Sequence, residues 1–355
     1  MWILFDKSDA AAVAQLDAFV SSHPSGHFMQ TGAWAAVKSF WEWRGLCVLR
    51  KHRVVASAGV LIRRLPLGFS LLYIPRGPVC DRNDPLIWYE LMDGLRHLAR
   101  QQRSILLHID PAEPDENTAF RTLMGELGFT EKTDEGFGGI QPQYVFRLDL
   151  KGRSREDIFK GFSGKTRYNI GLSLRKGVVL QEYTGLDSIP DAVFRDFYTL
   201  METTGARDGF FIRDLPYFQR LMYALKGNAC LFVAYYQSRP IAGSIEIFCG
   251  GKAWYLYGAS ANEHRNLMPN YLLQWTMLQR AMDRGCEVYD FRGVPGVPSE
   301  GHPLYGLYRF KKGFGGTYTK FTGLFTYTFL PLHAKLLRLA ADLRRRLRPR
   351  TRKPR

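Results

Sequence analysis

The sequence of 355 residues contains few features that would tie it to a covalent or metal-based framework. Its five cysteines are odd in number and include no C-x-x-C pair; they are Cys47, Cys80, Cys230, Cys249 and Cys286. Disulfide scaffolds need an even set, and zinc clusters need close spacing. The sequence therefore predicts no disulfide framework, no metal site and a reducing cytoplasmic setting.

The chain also lacks the pattern of a membrane span or a signal peptide. No uncharged run approaches the roughly 18 apolar residues that indicate a transmembrane helix. Asp6, Lys7 and Asp9 interrupt the place where a signal peptide would carry its apolar stretch. We therefore expect a cytoplasmic protein that is soluble or peripheral at the inner face of the cell membrane.

What the chain does have is the composition of a packed protein with unevenly distributed charge. Hydrophobic residues make up 46% and charged residues 23%, which excludes a chain that is disordered throughout. The net charge is +16, and residues 335–355 hold ten basic side chains against one acidic one, Asp342. The remainder therefore carries only +7. At about 150 residues per domain, the length predicts two domains.

The two halves of the chain repeat one order of elements. In each half, a predicted β-hairpin precedes a strand, a helix and a further strand. Arg53–Ala56 and Arg239–Ala242 open matching strands, and later strands end in Asp110 and Asp290. This order predicts two copies of one α/β unit, and two unrelated α/β domains are the alternative. We expect the first domain at 1–150, the second at 151–319, a segment at 320–340 that packs back on the first domain, and a basic tail at 341–355.

The C-terminal segment has the pattern of a basic amphipathic helix. Leucines recur every three to four residues with arginines between them, at Leu332, Leu336, Leu339, Leu343 and Leu347. Such helices bind anionic membranes or RNA phosphates. The alternative is a helix whose front half packs on the first domain.

The segment His264–Gly285 has the outline of the helix entry in acetyl-CoA-dependent N-acyltransferases. In those enzymes a glycine-rich turn brings backbone N–H groups close to a pyrophosphate. Here Leu267, Met268 and Pro269 occupy the turn, and proline has no backbone N–H to donate. The segment predicts an N-acyltransferase scaffold without coenzyme A, although a purely structural role for this turn explains the residues equally well.

Short motifs along nearly the whole chain resemble those of the Fem family of peptidoglycan-bridge aminoacyltransferases (FemA, FemB and FemX). They are Gln30-Thr-Gly-Ala-Trp34 with Lys38, Pro75-Arg-Gly-Pro-Val79, Ile109-Asp-Pro111, Gln141-Pro-x-Tyr144, Lys165-x-Arg167, Thr204-x-x-Arg207, Tyr289-Asp-Phe-Arg-Gly293 and Gly306-Leu-Tyr-Arg-Phe-Lys-Lys-Gly-Phe314. The last is the most specific. The resemblance implies an α/β fold of two tandem GNAT-like domains with mixed sheets. Because no extended heptad pattern is present, it resembles the compact FemX-like form without a long coiled-coil insertion.

The same resemblance implies an activity and its partners. A monomer would transfer an aminoacyl group from aminoacyl-tRNA to the branch amino group of a peptidoglycan stem peptide, on UDP-MurNAc-pentapeptide or lipid II. An aminoacyl ester is already activated, so positioning and preorganised charge can supply the rate without a cofactor. The alternatives are an orphan GNAT-like N-acyltransferase that acts on a cell-envelope polysaccharide or other amine, and a non-catalytic protein that binds RNA or membranes.

Three residues are predicted to be catalytic. By resemblance, Lys311 aligns with the family's functional lysine, and Phe310 precedes it. Lys311 would stabilise the transition state or the departing tRNA oxygen; alternatively, it forms a solvated face with Lys312. Asp110 follows a strand and would orient the amine or accept a proton. The equal alternative is that Asp110 caps the helix after Pro111.

Five residues are predicted to bind the precursor. Lys38, expected on a helix after Trp34, and Arg213 match family positions that contact the phosphates. Tyr217, four residues after Arg213, would share its helical face. Tyr257 would line the same groove, and Arg76 would either brace a loop or contact the ligand. As structural alternatives, Lys38 and Arg213 are surface charges and Tyr217 is a half-buried helix residue.

Overall fold

The computed structural model describes residues 1–133, 139–185 and 188–347. Within these ranges the chain forms two mixed β-sheets covered by helices. None of the helices in these ranges is both long enough and apolar enough to cross a membrane. Residues 348–355 of the predicted basic tail lie outside the described residues.

The first sheet is built mainly from the N-terminal half. Its strands are β1 (Trp2–Phe5), β2 (Glu42–Arg50), β3 (Arg53–Arg64), β4 (Ser70–Ile74), β5 (Val79–Cys80), β6 (Ser104–Ile109), β7 (Thr130–Lys132) and, from the C-terminal part, β15 (Leu324–Thr328). The order is β1-β2-β3-β4-β6-β15-β7, with β5 paired to β3. β4 and β6 are parallel because α3 (Pro85–Gln101) connects them across one face.

The second sheet has the same plan. Its strands are β8 (Tyr144–Asp149), β9 (Val179–Thr184), β10 (Ala229–Tyr236), β11 (Arg239–Cys249), β12 (Lys252–Ser260), β13 (Val288–Gly293) and β14 (Thr317–Lys320). The order is β14-β8-β13-β12-β11-β10-β9. β12 and β13 are parallel, and α9 (Pro269–Asp283) connects them. The repeated hairpin, strand, helix and strand confirm the predicted tandem α/β fold.

The connecting helices have local signals at their starts. Asp84 accepts hydrogen bonds from the backbone N–H groups of Leu86 and Ile87 at the start of α3, where Pro85 is the first helical residue. The remaining helices are α1 (Ala10–Ser22), α2 (Gly32–Val37), α4 (Thr118–Glu126), α5 (Arg155–Lys160), α6 (Gly164–Arg175), α7 (Asp191–Asp208), α8 (Leu215–Leu225), α10 (Tyr305–Lys312) and α11 (Pro331–Leu347). Across the described ranges none exceeds the 18 residues of α7, so no long coiled-coil hairpin is present there.

One strand lies across the domain boundary that the sequence suggested. β8 precedes residue 150, yet it pairs with β13 and β14 of the second sheet. β15 lies in the segment 320–340 that the sequence places on the first domain, and it pairs with β6 and β7 of the first sheet. The expected first domain, 1–150, therefore differs from the sheet membership, which changes at Tyr144. In α11, which follows β15, Ala334 packs with Ile105 and Leu106.

A shared hydrophobic core joins the two halves. Buried residues of α1 and α2 belong to the same cluster as those of α7 and α8. The ring of Phe28, for example, lies 5.1 Å from that of Trp254 on β12, measured between centroids. Because this core holds α2 against α8, it places the residues that follow α2 beside those that precede α8.

Candidate active site

Lys311 lies on α10 in a buried position beside the end of β13. Its Nζ donates a hydrogen bond to the carbonyl of Gly293 at 2.8 Å and lies 5.4 Å from the centroid of the Tyr255 ring. The residue is only 5% exposed. Burial lowers the pKa of Lys311 to about 7, opposed by Asp290 and assisted by Arg292. This amine can therefore exchange a proton near neutral pH.

Asp290 and Arg292 shape the end of β13 next to Lys311. The backbone N–H of Arg292 donates to Oδ1 of Asp290 at 2.7 Å. Arg292 has a φ of 59°, a left-handed conformation that costs an arginine about 1–2 kcal/mol. Its Nη2 donates to Oε1 of Gln141 at 2.8 Å. Burial, with a contribution from nearby Arg76, lowers the pKa of Arg292 to about 10.

Asp110 occupies the corresponding position after β6 in the first sheet. The hydroxyl of Tyr73 donates to its Oδ2 at 2.6 Å, and the backbone N–H of Arg76 donates to its Oδ1 at 2.7 Å. Burial raises the pKa of Asp110, and Arg76 opposes the rise. The next helix, α4, begins at Thr118 and is capped by Asn117, so the prediction that Asp110 caps it is wrong. Both carboxylate oxygens instead hold the turn after β4.

Arg76 has its guanidinium inside the protein. The residue is 2% exposed, and the guanidinium carbon lies 5.2 Å from the centroid of the Phe321 ring. Its Nη2 donates to the carbonyl of Pro142. Of the two roles left open by the sequence, these contacts correspond to bracing the loop. Because Arg76 also acts on the pKa of Arg292, the two buried cations are neighbours.

Phe310, the residue before Lys311, borders a separate cavity that we call the α9 pocket. This pocket of about 290 Å³ lies between the end of α7, β12, the start of α9 and α10, and Arg207 and Arg265 are among its lining residues. Tyr255 lines the α9 pocket and also lies beside the amine of Lys311. The lysine and the pocket are therefore adjacent, with an aromatic ring between them.

The start of α9 is built from bulky residues. Leu267 is buried, Met268 has a φ of 55°, and Pro269 is the first residue of the helix. Met268 and Pro269 line the α9 pocket. The pocket is thus bounded at this turn by side chains and by a residue that has no backbone N–H.

Lys38 forms a second pocket, about 260 Å³ in volume, where α2 meets α8; we call it the Lys38 pocket. Lys38 follows α2 directly, and its Nζ lies 5.0 Å from the ring centroid of Trp34 and 5.4 Å from that of Tyr217. Burial, assisted by Arg213, lowers the pKa of Lys38 to about 8. In the described part of the chain, neither Lys38 nor Arg213 forms an ion pair with a carboxylate. Two adjacent cations are thus left available to an anion.

Arg213 and the two predicted tyrosines come together, although not as expected. Arg213 precedes α8, which begins at Leu215 after its N-cap Asp214, so a shared helical face with Tyr217 is wrong. Its guanidinium carbon instead lies 5.5 Å from the centroid of the Tyr217 ring. The hydroxyl of Tyr257 donates to that of Tyr217 at 3.1 Å. Burial raises the pKa of both tyrosines, which keeps them neutral.

Tyr257 links the two ends of the site. Both Arg213 and Arg292 act on the pKa of its hydroxyl, so it lies between the Lys38 pocket and the end of β13. A second link runs through Trp41, whose ring lies 6.4 Å from that of Tyr73, the residue that binds Asp110. The predicted site residues therefore belong to one connected region. Phe310 lies at the side of this region that borders the α9 pocket.

The sequence did not assign roles to several residues of this region, namely Tyr73, Gln141, Tyr255, Asp290 and Arg292. Two signals were available. The repeat had paired Asp290 with Asp110, and Arg292 stands in the motif Tyr289–Gly293. In the ranges that the structure covers, no group of three or more His, Cys, Asp or Glu residues is arranged to hold a metal ion. The region combines buried cations, tyrosine hydroxyls and the carboxylates of Asp110 and Asp290.

Comparison with known proteins identifies the family. A family model described as the FemAB family matches residues 12–239 and 235–342. The lipid II:glycine glycyltransferase of Staphylococcus saprophyticus is 27% identical to the chain, over 93% of this chain and 94% of that protein. The protein of the same name from Staphylococcus aureus is 28% identical with the same coverage.

Solved structures give the same result at the level of the fold. A crystal structure of FemX has a TM-score of 0.83 and 26% identity, and the match covers 92% of this chain and 98% of that one. A tandem GNAT protein from the clavulanic acid biosynthesis pathway has a TM-score of 0.56 and 12% identity, with the same coverage; it supports the fold alone. The chain, matched by the family model over most of its length, is a member of the FemAB family and an aminoacyltransferase.

Proposed function

We propose that this enzyme transfers an aminoacyl group from aminoacyl-tRNA to the branch amino group of the stem peptide of lipid II. The observation that carries the proposal is the position of Lys311: Tyr255 lies between it and the α9 pocket on one side, and Arg292 and Tyr257 lie between it and the Lys38 pocket on the other. Two substrates can then meet at one amine that exchanges its proton near pH 7. The names of the related staphylococcal enzymes support the acceptor.

The acceptor's pyrophosphate would bind in the Lys38 pocket. Lys38 and Arg213 supply adjacent cations, and charge-assisted hydrogen bonds from such groups are the strong ones in phosphate binding. The hydroxyl pair of Tyr257 and Tyr217 adds neutral donors next to them. The stem peptide would extend from the Lys38 pocket past Tyr257 toward Arg292 and Lys311.

The aminoacylated end of the tRNA would bind in the α9 pocket. Arg265 lines this pocket and can contact RNA phosphates, whereas the guanidinium of Arg207, also in the lining, is paired with Asp208. Coenzyme A is a poor match for the same place, because Pro269 has no N–H for a pyrophosphate and Leu267 and Met268 fill the turn. We therefore propose aminoacyl-tRNA as the donor and no cofactor.

The reaction needs one bond exchange. The acceptor amine attacks the ester carbonyl, a C–N bond forms, and the tetrahedral intermediate carries an oxyanion. The C–O bond to the ribose then breaks. Lys311, as an ammonium, stabilises the negative charge, donates its proton to the departing ribose oxygen, and takes up the proton that the attacking amine loses. Phe310 and Tyr255 restrict water around the ester, and Asp110 is a positioning residue that holds Tyr73 and Arg76.

The test is incubation of the full chain with a labelled mixed aminoacyl-tRNA pool and with lipid II or UDP-MurNAc-pentapeptide, followed by mass spectrometry of the stem peptide. We expect an added amino acid on lipid II that is lost when the tRNA is treated with ribonuclease. A parallel reaction contains acetyl-CoA and no RNA. Transfer in that reaction alone, or equal transfer after ribonuclease treatment, would contradict the proposal.

A further inference from the structure

One edge of the first sheet brings together the ends of five strands. Strand β2 begins opposite the end of β3, since Glu42 pairs with Ile62. Ser70 at the start of β4 pairs with Arg64 on one side and with Ser104 at the start of β6 on the other. β15 ends beside the start of β6. This edge, which we call the docking edge, is therefore opposite to the one that carries Asp110.

The docking edge presents large apolar side chains to solvent. Phe40 precedes β2 and is 85% exposed, and Leu67 in the β3–β4 turn is 84% exposed. Leu332, at the start of α11 just after β15, is 78% exposed. Single exposed apolar residues are common on proteins, but several at one edge indicate an interaction surface.

Helix α11 extends this apolar surface as a stripe. At 100° per residue, its exposed Leu332, Leu336, Leu339 and Leu343 fall within about 60° of the helix circumference. Ala334, which is buried against the first sheet, points to the opposite side. The leucine stripe therefore faces away from the body of the protein.

Basic side chains lie on the same helix and beside its start, together with one acidic residue of the helix, Asp342. Lys335 and Arg338 lie on α11, and a cleft of about 620 Å³ at its start is lined by Arg96, Arg100 and Arg103. Among the described residues, none of these five cations is paired with a carboxylate. Residues 344–355 add eight further basic residues and no acidic one.

We propose that the docking edge binds the surface of an anionic lipid bilayer. The leucines of α11 and Leu67 enter the boundary between headgroups and acyl chains, and the arginines of the cleft contact lipid phosphates. An apolar stripe beside unpaired cations is the pattern of a helix that lies in a membrane interface. RNA phosphates would use the cations but would leave the exposed leucines in water.

The edge also gives the active site an orientation. Phe40 belongs both to the docking edge and to the Lys38 pocket, together with Phe211, which is 85% exposed. This orientation rests on the proposed function: the pyrophosphate of a lipid-linked acceptor would enter the Lys38 pocket from the bilayer surface. The docking itself does not depend on the identity of the acceptor.

The experiment measures co-sedimentation of the full chain with vesicles of phosphatidylcholine alone and of phosphatidylcholine with phosphatidylglycerol. We expect binding to the anionic vesicles that weakens with salt. The double variant Leu336→Gln/Leu339→Gln should lower the partition coefficient by about tenfold or more, because two apolar side chains no longer enter the interface. Leu67→Gln should act in the same direction with a smaller change.

Leu86→Gln is the matched control. Leu86 is 65% exposed, as against 64% for Leu336, and it lies at the start of α3, away from the docking edge. We expect Leu86→Gln to leave the partition coefficient unchanged, and all variants to keep their melting temperature, because each replaced leucine is exposed. Equal binding to both vesicle types, no change in the double variant, or the same loss in Leu86→Gln would overturn the proposal.

Two further measurements separate the other possibilities. If the double variant lost affinity for labelled tRNA but kept its vesicle binding, the edge would be an RNA surface and the proposal would be wrong. Vesicle binding needs no substrate, so it also tests docking apart from catalysis. Absence of transfer to every acceptor, combined with the expected loss of vesicle binding, would reject only the proposed function.

Discussion

Lys311 and Lys38 lie on opposite sides of Arg292 and Tyr257. Burial lowers the pKa of the two lysines to different degrees. Lys311 is almost completely buried, and its amine donates to a backbone carbonyl. Lys38 is half-buried between the rings of Trp34 and Tyr217 and has Arg213 beside it. The pKa falls to about 7 for Lys311 and to about 8 for Lys38. The more deeply buried of the two lysines, Lys311, therefore has the lower pKa and the smaller protonated fraction at neutral pH.

This difference separates proton transfer from charge-based binding. At pH 7, a group with a pKa of about 8 is roughly nine-tenths protonated, whereas a group with a pKa of about 7 is half protonated. Lys38 therefore keeps a nearly constant positive charge for an anionic acceptor. Lys311 is able to lose and regain its proton during turnover, which suits a general acid.

The largest expected effect is on turnover at the buried end. Replacing Lys311 by alanine removes the group that stabilises the oxyanion, so kcat should fall by about 10²–10³-fold. The KM for lipid II should change little, because the cations proposed to bind its phosphates, Lys38 and Arg213, lie in the separate Lys38 pocket. Steady-state kinetics of aminoacyl transfer provide both values.

Lys312 provides the control for this substitution. It is the next residue on α10, and its side chain is exposed. We expect Lys312→Ala to keep kcat within about twofold of the original protein, because an exposed charge interacts weakly. A similar loss of turnover in both variants, or full turnover in Lys311→Ala, would contradict the assignment of Lys311.

A smaller effect is expected at the half-buried end, and on binding rather than on turnover. Arg213→Ala removes one charge-assisted hydrogen bond to the acceptor's phosphates, so binding should weaken by about 1.5–3 kcal/mol. Calorimetry with UDP-MurNAc-pentapeptide measures this change without detergent. Arg239→Ala, at the exposed start of β11, is the control. Unchanged affinity in Arg213→Ala would remove this residue from the acceptor site.

The local order of elements could be predicted from the sequence, but the partners of β8 could not. Local sequence patterns indicate each hairpin, strand and helix separately, so both α/β units could be recognised from their order along the chain. The alternation in β8 indicates a strand without indicating its neighbour. Its pairing with β13 and β14 depends on the return of the C-terminal segment, which no local pattern records.

The site shows the same limit. Lys38 and Lys311 could be singled out as candidates because they stand beside or within short continuous motifs, Gln30–Trp34 and Gly306–Phe314. Arg292 received no role, because its guanidinium reaches Gln141 only through a left-handed backbone conformation at the end of β13. The helix-capping hypothesis for Asp110 failed for a related reason: six residues separate Pro111 from the start of α4 at Thr118, and the path of this segment depends on tertiary contacts.

The smallest expected effect concerns the stability cost of burying Lys311. Its folded-state pKa, about 7, lies below the ordinary value of 10.5, so the unfolded chain binds more protons between these values. The free energy of unfolding contributed by this group therefore rises as the pH increases from 7 toward 10. Lys311→Met removes the penalty and should stabilise the protein by about 1–2 kcal/mol at pH 6.5, because the lost hydrogen bond to Gly293 offsets part of the gain.

Urea unfolding at pH 6.5 and pH 9 measures this prediction. The gain of Lys311→Met over the original protein should be largest at pH 6.5 and should shrink at pH 9, where less of the penalty remains. Lys312→Met, at the exposed neighbouring position, should show no such dependence on pH. A gain of equal size at both pH values would mean that improved packing, and not the removal of a buried amine, stabilises the variant. The difference in pKa between Lys311 and Lys38 would then not be the one that their burial indicates.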